Sequence, residues 1–399
     1  MSANRPPTPR IPRAIWALGF VSLLMDISSE LIHSLLPVFM FTALGVSAFT
    51  IGLIEGAAEA TALIVKVFSG ALSDWWGKRK PLALLGYGLG ALSKPLFALA
   101  QGSGMIIAAR LIDRVGKGIR GAPRDALVAD LTPPEVRGAA FGLRQSLDTV
   151  GAFLGPLLAM ALMLLWANDF RAVFWVAGIP AFLAVALLFF GVHEPERPQD
   201  GKRVNPIRRE ALRRLSPAYW WVVGIGAIFT LARFSEAFLV LRVQSDGLPL
   251  AFVPLVVIVM NVVYAAAAYP CGKLADSMNH STLLAWGLVL LIVADLALAV
   301  HGHWSIVWLG VVLWGLHMAM TQGLLAAMIA DHAPADLRGT AYGFFNLASG
   351  LSMLIASMVA GFLWDGWGAS FTFLAGAAFC AFALLALSVR GAGRGAQAM

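Results

Sequence analysis

Twelve long apolar stretches follow one another along the chain, with short polar segments between them. An α-helix needs roughly 20 residues to cross a bilayer, and every stretch comes close to that length or exceeds it. The stretches cover residues 14–42, 47–72, 81–101, 103–129, 138–166, 170–192, 217–241, 248–271, 282–300, 304–330, 339–364 and 370–389. This pattern predicts an all-α membrane protein with twelve transmembrane helices.

Basic residues are concentrated in every second loop. They precede the first apolar stretch, follow the second, fourth and tenth, and are most frequent in segment 193–216. The intervening loops at 43–47 and 101–103 contain none. Because cytoplasmic loops of membrane proteins carry an excess of Lys and Arg, the pattern places both termini in the cytoplasm.

The composition fits a membrane protein and argues against other classes. Of the 399 residues, 59% are hydrophobic and 13% are charged, and the net charge is +7. The loops and one internal stretch account for the basic excess, so we expect no nucleic-acid partner. Cys271 and Cys380 have neither metal-binding nor redox spacing, and no cofactor is expected. The basic start and long first stretch predict a retained helix, not a cleaved signal peptide.

Motifs for ATP hydrolysis and for catalysis are missing from the sequence. The Gly-Lys pairs lack the Gly five positions earlier that a phosphate-binding loop requires. Neither a nucleophile elbow nor an H-E-x-x-H motif occurs. We therefore expect a protein that is not an enzyme and that draws its energy from an ion gradient. A receptor or scaffold that transports nothing is the alternative.

The second half of the chain repeats the punctuation of the first. "GALSD" at 70–74 returns as "GKLAD" at 272–276, and "ADLTPPEVRGAAFG" at 129–142 returns as "ADHAPADLRGTAYG" at nearly the same offset. We predict a six-helix bundle at 1–192, a cytoplasmic linker at 193–216 and a second six-helix bundle at 217–399. In transporters built from parallel repeats, the substrate site lies between the halves near the middle of the membrane.

The loop after the second stretch resembles the signature loop of the major facilitator superfamily. The matching residues are Gly70, Leu72, Asp74, Gly77, Lys78, Arg79 and Lys80, with Trp75 where an Arg is usual. The resemblance implies a monomeric transporter of the fold with two six-helix bundles. It also implies that this loop, together with Gly272 and Asp276 in the second half, acts as a gate.

A second motif indicates the direction of transport. The fifth stretch contains "GAFLGP", whose Gly151, Gly155 and Pro156 resemble a motif of superfamily exporters that exchange substrate for protons. Ala159 keeps the first of the two small residues that usually follow, but Met160 replaces the second. Close helix packing and a proline kink are the structural alternative. The resemblance favours an exporter in a bacterial inner membrane over an importer.

Many charged residues fall at bilayer depth, where each costs several kcal/mol unless it is paired or hydrated. Asp26, Glu30 and His33 share one helix face by their spacing, as do Glu55 with Glu59 and Arg144 with Asp148. Their chemistry is that of a proton and cation relay, and a structural salt-bridge network is the alternative. The candidates for proton coupling and for the substrate cavity are Asp26, Glu30, His33, Glu55, Glu59, Arg110, Asp113, Arg114, Arg144, Asp148, Arg233, Glu236 and His317.

The stretch RLIDRVGKGIR at 110–120 supplies two of the four arginines of this set, Arg110 and Arg114. Counting about 1.5 Å per residue places Arg110 at the depth of Glu30 and Arg114 at the depth of Asp26, so we expect these two pairs. Arg110 also matches the Arg of a superfamily motif implicated in proton coupling. The remaining cations, Lys117, Arg120 and Arg124, are expected to snorkel or to pair with Asp125 and Asp130.

The acidic first half and the mainly apolar second half favour a small cationic or amphipathic, drug-like substrate. The chain also resembles a prokaryotic branch that includes nickel-resistance exporters, through "MDISSELIHSLLP" and "DRVGKGIRGAPRDALVAD". Asp26, Glu30 and His33 are ligands able to hold a divalent metal. Metal export and proton-coupled uptake of a small solute are therefore the alternatives to proton-driven drug-like export.

Overall fold

Helices make up all the regular structure in the part of the chain described here. A computed structural model describes residues 11–194, 215–334 and 337–396. Helix α1 (Arg13–His33) continues through a short turn and a π-helical turn to Ala43. It is followed by α2 (Ala48–Trp76), α3 (Lys80–Leu99), α4 (Ser103–Leu131), α5 (Arg137–Leu165) and α6 (Phe170–Gly191).

The second half repeats this series with one broken helix. Helix α7 consists of two pieces, Pro217–Ala232 and Ala237–Ser245. The helices after it are α8 (Pro254–Ser277), α9 (His280–Ala299), α10 (Trp304–His332), α11 (Arg338–Trp367) and α12 (Ala369–Ala396). Most of the predicted linker, residues 195–214, lies outside the described ranges.

Eleven segments within the described ranges are long and apolar enough to cross a membrane. The twelfth helix, α4, is as long as its neighbours but carries the RLIDRVGKGIR stretch. It starts at the end of the bundle where α3 stops and ends where α5 starts, so it crosses the same thickness. The prediction of an all-α protein with twelve spanning helices is confirmed.

The helix ends follow from local side-chain chemistry. Ser47 Oγ accepts a hydrogen bond from the backbone N–H of Thr50 and begins α2, and Asp169 caps α6 in the same way. Gly77 ends α2 with φ +72°, a conformation that glycine adopts without a steric penalty. We call the end with loops 77–79 and 132–136 the basic end, and the end with loops 44–47 and 166–169 the opposite end.

Helix α7 departs from the continuous span that the sequence predicted at 217–241. Its backbone is not helical from Arg233 to Glu236. Ser357 Oγ of α11 accepts a hydrogen bond from the backbone N–H of Ser235 at 3.2 Å, which partly replaces the lost helical bonds. Irregular backbone at membrane depth is tolerated where it is buried in protein or lines a water-filled cavity. Arg233 and Glu236 do line such a cavity.

The two halves meet most closely along α2 and α11. A side chain at Gly52 would lie 2.1 Å from the carbonyl oxygen of Ser357, and one at Gly361 would lie 2.4 Å from that of Ala48. Glycine at these positions therefore lets the two backbones touch. These two contacts lie near the opposite end, and the interface continues along α2, where Gly350 of α11 packs on Ala60.

Candidate functional site

Two adjoining cavities lie between the halves. The larger has a volume of about 830 Å³ and the smaller about 360 Å³. Glu30, Glu59 and Lys117 line both of them. The larger cavity reaches toward the basic end, where Lys66 and Arg124 lie, and the smaller one lies toward the opposite end. Side chains of α1, α2 and α4 face α7 and α11 in the smaller cavity and α8 and α10 in the larger one.

Two parallel ion pairs join α2 to α4. Glu55 pairs with Arg110, and Glu59 Oε1 lies 3.2 Å from Arg114 Nη1. The two helices run in the same direction, so acids four residues apart on one match cations four residues apart on the other. The side chain of Glu59 is 36% exposed and that of Glu55 is 7% exposed. Water therefore has free access only to the pair of Glu59 with Arg114.

The expected pairing of Arg110 with Glu30 and of Arg114 with Asp26 is wrong. Helix α4 packs closely against α2 and only loosely against α1, and Arg114 lies level with His33 on α1 and not with Asp26. Its arginines therefore meet the carboxylates of α2 first. This leaves Asp26 and Glu30 without an arginine partner among the described residues.

A second buried cluster joins α1, α3 and α4. Lys94 is fully buried, and its Nζ donates to Asp113 Oδ1 at 2.8 Å and lies 3.3 Å from Ser29 Oγ. Asp113 Oδ2 is 3.6 Å from His33 Nε2. Arg114 Nη2 lies 3.2 Å from both ring nitrogens of His33. Lys94 was not among the residues predicted from the sequence, whereas its partner Asp113 was.

Asp26 and Glu30 lie where α1 packs against α5. A side chain at Gly151 would lie 2.9 Å from Asp26 Cβ, and one at Gly155 would lie 2.6 Å from Glu30 Cβ. The side chain of Glu30 is 27% exposed, and its Oε1 lies 3.7 Å from the imidazole Nδ1 of His33. Both carboxyl groups line the larger cavity. They are therefore acids that cavity water reaches.

Gly155→Ala tests the close approach of these two helices. The added methyl group meets Glu30 Cβ and the carbonyl oxygen of Ile27, so we expect the protein to lose about 1–3 kcal/mol of stability through overpacking. The measurement is the thermal unfolding midpoint of the purified protein. Gly88→Ala is the control because nothing lies within 4 Å of that position. An equal midpoint for both variants would refute the tight packing.

The cations of α4 nearer the basic end do not share one kind of partner. Arg124 pairs with Asp125 at 3.1 Å, as expected. Asp130 lies instead 2.8 Å from Arg79. Arg120 is buried, with its guanidinium 5.0 Å from the centre of the Tyr87 ring. Lys117 is exposed and lines both cavities, without an ion pair to Asp125 or Asp130.

The remaining candidates are two ion pairs beside the cavities and one separate histidine. Arg144 pairs with Asp148 at 2.5 Å beside the larger cavity. Arg233 and Glu236 are 3.4 Å apart and line the smaller cavity from the second half. His317 lies apart from the rest. It is buried with Nδ1 2.9 Å from the carbonyl oxygen of Gly287, and it lines neither cavity.

The three residues considered as metal ligands do not form a ligand set in this conformation. Within the described ranges, no three His, Cys, Asp or Glu side chains come together in a way that could hold a metal ion. Arg114 and Asp113 surround the ring of His33 and occupy the positions that a metal would need. The geometry thus gives no support to Asp26, Glu30 and His33 as a metal site.

An interaction between the halves closes the opposite end. The carboxylate of Asp365 on α11 accepts hydrogen bonds from the first backbone N–H groups of α2, at Ala48 (3.0 Å) and Phe49 (2.8 Å). A carboxylate at a helix N-terminus is stabilised by the unpaired N–H groups and by the helix dipole. This contact and the glycine contacts next to it join the two halves on that side of the cavities.

The comparisons with known proteins settle the family. The family model of the Major Facilitator Superfamily matches residues 18–260 and 239–397. The chain belongs to the major facilitator superfamily. An MFS-type transporter of Methanocaldococcus jannaschii is 33% identical over 361 residues, which cover 89% of each chain. The quinolone resistance protein NorA of Staphylococcus aureus is 23% identical over 88% of this chain and 90% of its own.

A solved structure gives the same fold. The inward-facing, unoccupied crystal structure of a bacterial homolog of the human lysosomal transporter Spinster matches with a TM-score of 0.74. The two share 17% identity, over 94% of this chain and 96% of the other. The protein is therefore a multi-pass membrane transporter of small molecules with the MFS fold, and it is not an enzyme.

The signature loop of the superfamily is attached to neighbouring helices. Glu194, just after α6, accepts hydrogen bonds from the backbone N–H groups of Arg79 (2.5 Å) and Lys80 (3.1 Å). The side chain of Arg79 reaches Asp130 near the end of α4. Gly70, Gly77, Lys78 and Gly272 lie in or beside these turns at the basic end. The side chains of Asp74 and Asp276 lie outside the described part of the structure.

Proposed function

We propose that this protein exports a small cationic or amphipathic solute in exchange for protons, by alternating access. The observation that carries the proposal is the position of Asp26 and Glu30. Both carboxyl groups face the larger cavity, and neither has an arginine or lysine ion-pair partner among the described residues. The other acids of the site are held by cations, as Glu55, Glu59, Asp113 and Asp148 are.

Exchange follows from competition for these two groups. A proton from the cavity water and a cationic group on the substrate both neutralise a carboxylate, and a buried carboxylate without a counter-charge is costly. Only one of them binds at a time. If the cavity opens to each side in turn, protons enter on one side as substrate leaves, and the proton gradient drives export.

The ion pairs that water does not reach have a structural role in this mechanism. Glu55 with Arg110 and Lys94 with Asp113 are nearly inaccessible to water, so we assign them to holding α2, α3 and α4 together. Arg114 touches Glu59, His33 and Asp113 and thus connects the water-exposed acids to the buried cluster. We assign it to sensing the charge on the cavity side.

The conformation described here is assigned to the inward-facing state. The opposite end is joined by Asp365 and the α2–α11 contact, and the larger cavity extends toward the basic end. The loop charges support a cytoplasmic position for the basic end and for both termini, in a bacterial inner membrane. We propose that the transporter works as a monomer, since the cavity is built from both halves of one chain.

Two observations favour export over uptake. The motif of proton-exchanging exporters is resembled by Gly151, Gly155 and Pro156 on α5. Its two glycines pack against Asp26 and Glu30 of α1. NorA, a relative at 23% identity, is named for resistance to quinolones. In proton-coupled uptake the same architecture moves protons in the same direction as the substrate, whereas in export by exchange they move in the opposite direction. The direction of proton movement relative to the substrate therefore distinguishes uptake from export.

A growth screen followed by a transport assay tests the proposal. An efflux-deficient host that produces the protein is challenged with cationic and amphipathic drugs and, in parallel, with divalent metals. We expect protection against drug-like compounds. A protecting compound is then added to inverted membrane vesicles with an imposed proton gradient, and its uptake into the vesicles is measured. Protection against metals alone, or uptake that does not depend on the gradient, would overturn the proposal.

Asp365→Ala tests the closure of the opposite end. Losing a helix cap costs about 0.5–2 kcal/mol, so we expect the outward-open population to rise about two- to thirtyfold. The measurement is the rate at which a membrane-impermeant thiol reagent labels Met353→Cys, in the smaller cavity, in a variant that lacks Cys271 and Cys380.

Asp169→Ala is the matched control for this experiment. Asp169 caps α6 at the same end, with bonds of 2.9 and 3.1 Å to backbone N–H groups, but within one half of the protein. Its loss is expected to leave the labelling rate unchanged. Equal labelling rates for Asp365→Ala and Asp169→Ala would show that the Asp365 contact does not hold the halves together.

A further inference from the structure

The larger cavity has as many basic as acidic side chains in its wall. The acids are Asp26, Glu30, Glu59 and Asp148, and the bases are Lys66, Lys117, Arg120 and Arg124. From the acids and the mainly apolar second half, a cationic or amphipathic solute was predicted. The basic residues of the wall change the charge that a solute must carry to fit the cavity.

Several of these charges are occupied by partners within the protein. Glu59 pairs with Arg114 and Asp148 with Arg144. Arg124 pairs with Asp125, and Arg120 packs on the ring of Tyr87. The paired groups carry little net charge toward a solute, since each has its counter-charge next to it, and Arg120 is almost fully buried against the Tyr87 ring.

Four charges remain available to a solute. The side chains of Asp26, Lys66 and Lys117 have no hydrogen bond or ion pair among the described residues, and Glu30 has only His33 at 3.7 Å. Lys66 and Lys117 are both exposed. The cavity therefore offers two carboxyl groups and two ammonium groups to what it binds.

The two signs lie on different walls of the cavity. Asp26 and Glu30 are one helical turn apart on α1, at its contact with α5. Lys66 is on α2, with its chain along Gly121 of α4, and Lys117 is one turn earlier on α4. The acids belong to the α1–α5 side and the lysines to the α2–α4 side.

The second half closes the cavity with uncharged residues. Asn261, Val262, Tyr264 and Ala265 come from α8, and Met318 comes from α10. A volume of about 830 Å³ lies within the range of pockets that hold drug-sized ligands. This wall suits an uncharged, partly apolar body.

We propose that the larger cavity binds a zwitterionic solute. Its cationic group lies at Asp26 and Glu30, its anionic group lies at Lys66 and Lys117, and its uncharged body packs against Tyr264 and Met318. This proposal rests on the transport function proposed above and narrows its substrate class from cationic or amphipathic solutes to amphipathic solutes that carry both charges. A solute with only a positive charge meets two unpaired lysines, and one with only a negative charge meets two unpaired acids, so each is disfavoured.

The test is calorimetric binding to the purified full-length protein, with probes that differ only in charge. The probes are aromatic and aliphatic amino acids and dipeptides, whose uncharged parts differ in size. Each is used as the free zwitterion, the C-terminal amide (cation), the N-acetyl acid (anion) and the N-acetyl amide (neutral). For the bodies that bind, we expect the zwitterion to bind at least about tenfold more tightly than the other three forms.

Two double variants assign each charge to its wall. Lys66→Gln with Lys117→Gln should weaken zwitterion binding about tenfold and leave the cation unchanged or tighter. Asp26→Asn with Glu30→Gln should weaken the zwitterion and strengthen the anion. Lys273→Gln, an exposed lysine beside Tyr269 and outside the cavity, is the matched control and should change nothing.

Each contrary result overturns the proposal. Cation binding as tight as zwitterion binding, anion binding as tight, or no zwitterion binding up to about 10 mM would each contradict it. Binding is measured without a gradient, so its failure leaves proton-driven export standing. Intact zwitterion binding with transport that ignores the gradient would overturn export alone.

Discussion

Replacing Asp26 by Asn and Glu30 by Gln in one protein is expected to abolish gradient-driven export. The amides keep the shape of the acids but cannot exchange a proton, so binding of substrate on one side is no longer coupled to proton release. Neither acid has an ion pair with a lysine or arginine among the described residues, so the variant should insert and unfold as the parent does. We expect initial export rates at the level of vesicles without transporter.

The measurement is substrate uptake into inverted membrane vesicles with and without an imposed proton gradient. Glu135→Gln is the matched control, because Glu135 is exposed in the 132–136 loop, far from the cavities. It should export at the parental rate. Full gradient-driven export by the Asp26 and Glu30 variant would remove both residues from the coupling mechanism.

Lys94→Met is expected to give the largest loss of stability. Lys94 is fully buried, and removing it leaves the Asp113 carboxylate, whose side chain is 2% exposed, without its nearest cation. Removing one partner of a buried ion pair costs about 3–5 kcal/mol. Lys94→Met with Asp113→Leu should recover most of that loss, because it leaves no unpaired charge behind.

Thermal unfolding of the purified variants measures this effect. Lys66→Met is the matched control, since it makes the same substitution at an exposed lysine in a spanning helix, and its midpoint should stay near that of the parent. If Lys94→Met unfolds at the parental temperature, Lys94 and Asp113 do not form the buried pair that joins α3 to α4.

The hydrophobic pattern was sufficient to predict the twelve helices and most of their bounds. It missed the break in α7 because Arg233 to Glu236 interrupt an otherwise apolar run by only a few residues. The break depends on Ser357 of α11, which supplies a partner for the backbone of Ser235. A contact between helices so far apart in sequence is invisible to hydrophobic periodicity.

The sequence offers the correct partners of the arginines as one of two sets. Glu55 lies as far from the start of α2 as Arg110 lies from the start of α4, and both helices start at the same end. Depth counting applied to these parallel helices predicts Glu55 with Arg110 and Glu59 with Arg114. Counting along α1 gives the other set, Glu30 with Arg110 and Asp26 with Arg114, and only the packing of α4 against α2 decides between them.

Other parts of the site carry weaker sequence signals. Lys94 stands alone in its apolar helix before Pro95, and the sequence does not reveal that its side chain points to α4. Asp365 lies at a helix end, where an acid draws no attention. In contrast, Asp26 and Glu30 were predicted from their spacing, and the structure places both on the cavity wall.

The sign of proton movement tests the central claim most directly. The purified transporter is reconstituted in liposomes with a pH-sensitive dye inside and with the membrane potential clamped, and a substrate from the growth screen is added outside. Proton exchange predicts that the lumen becomes more alkaline as substrate enters. Liposomes without protein and the Asp26→Asn, Glu30→Gln variant should show no change above background. Acidification of the lumen, or substrate entry without proton movement, would contradict the account.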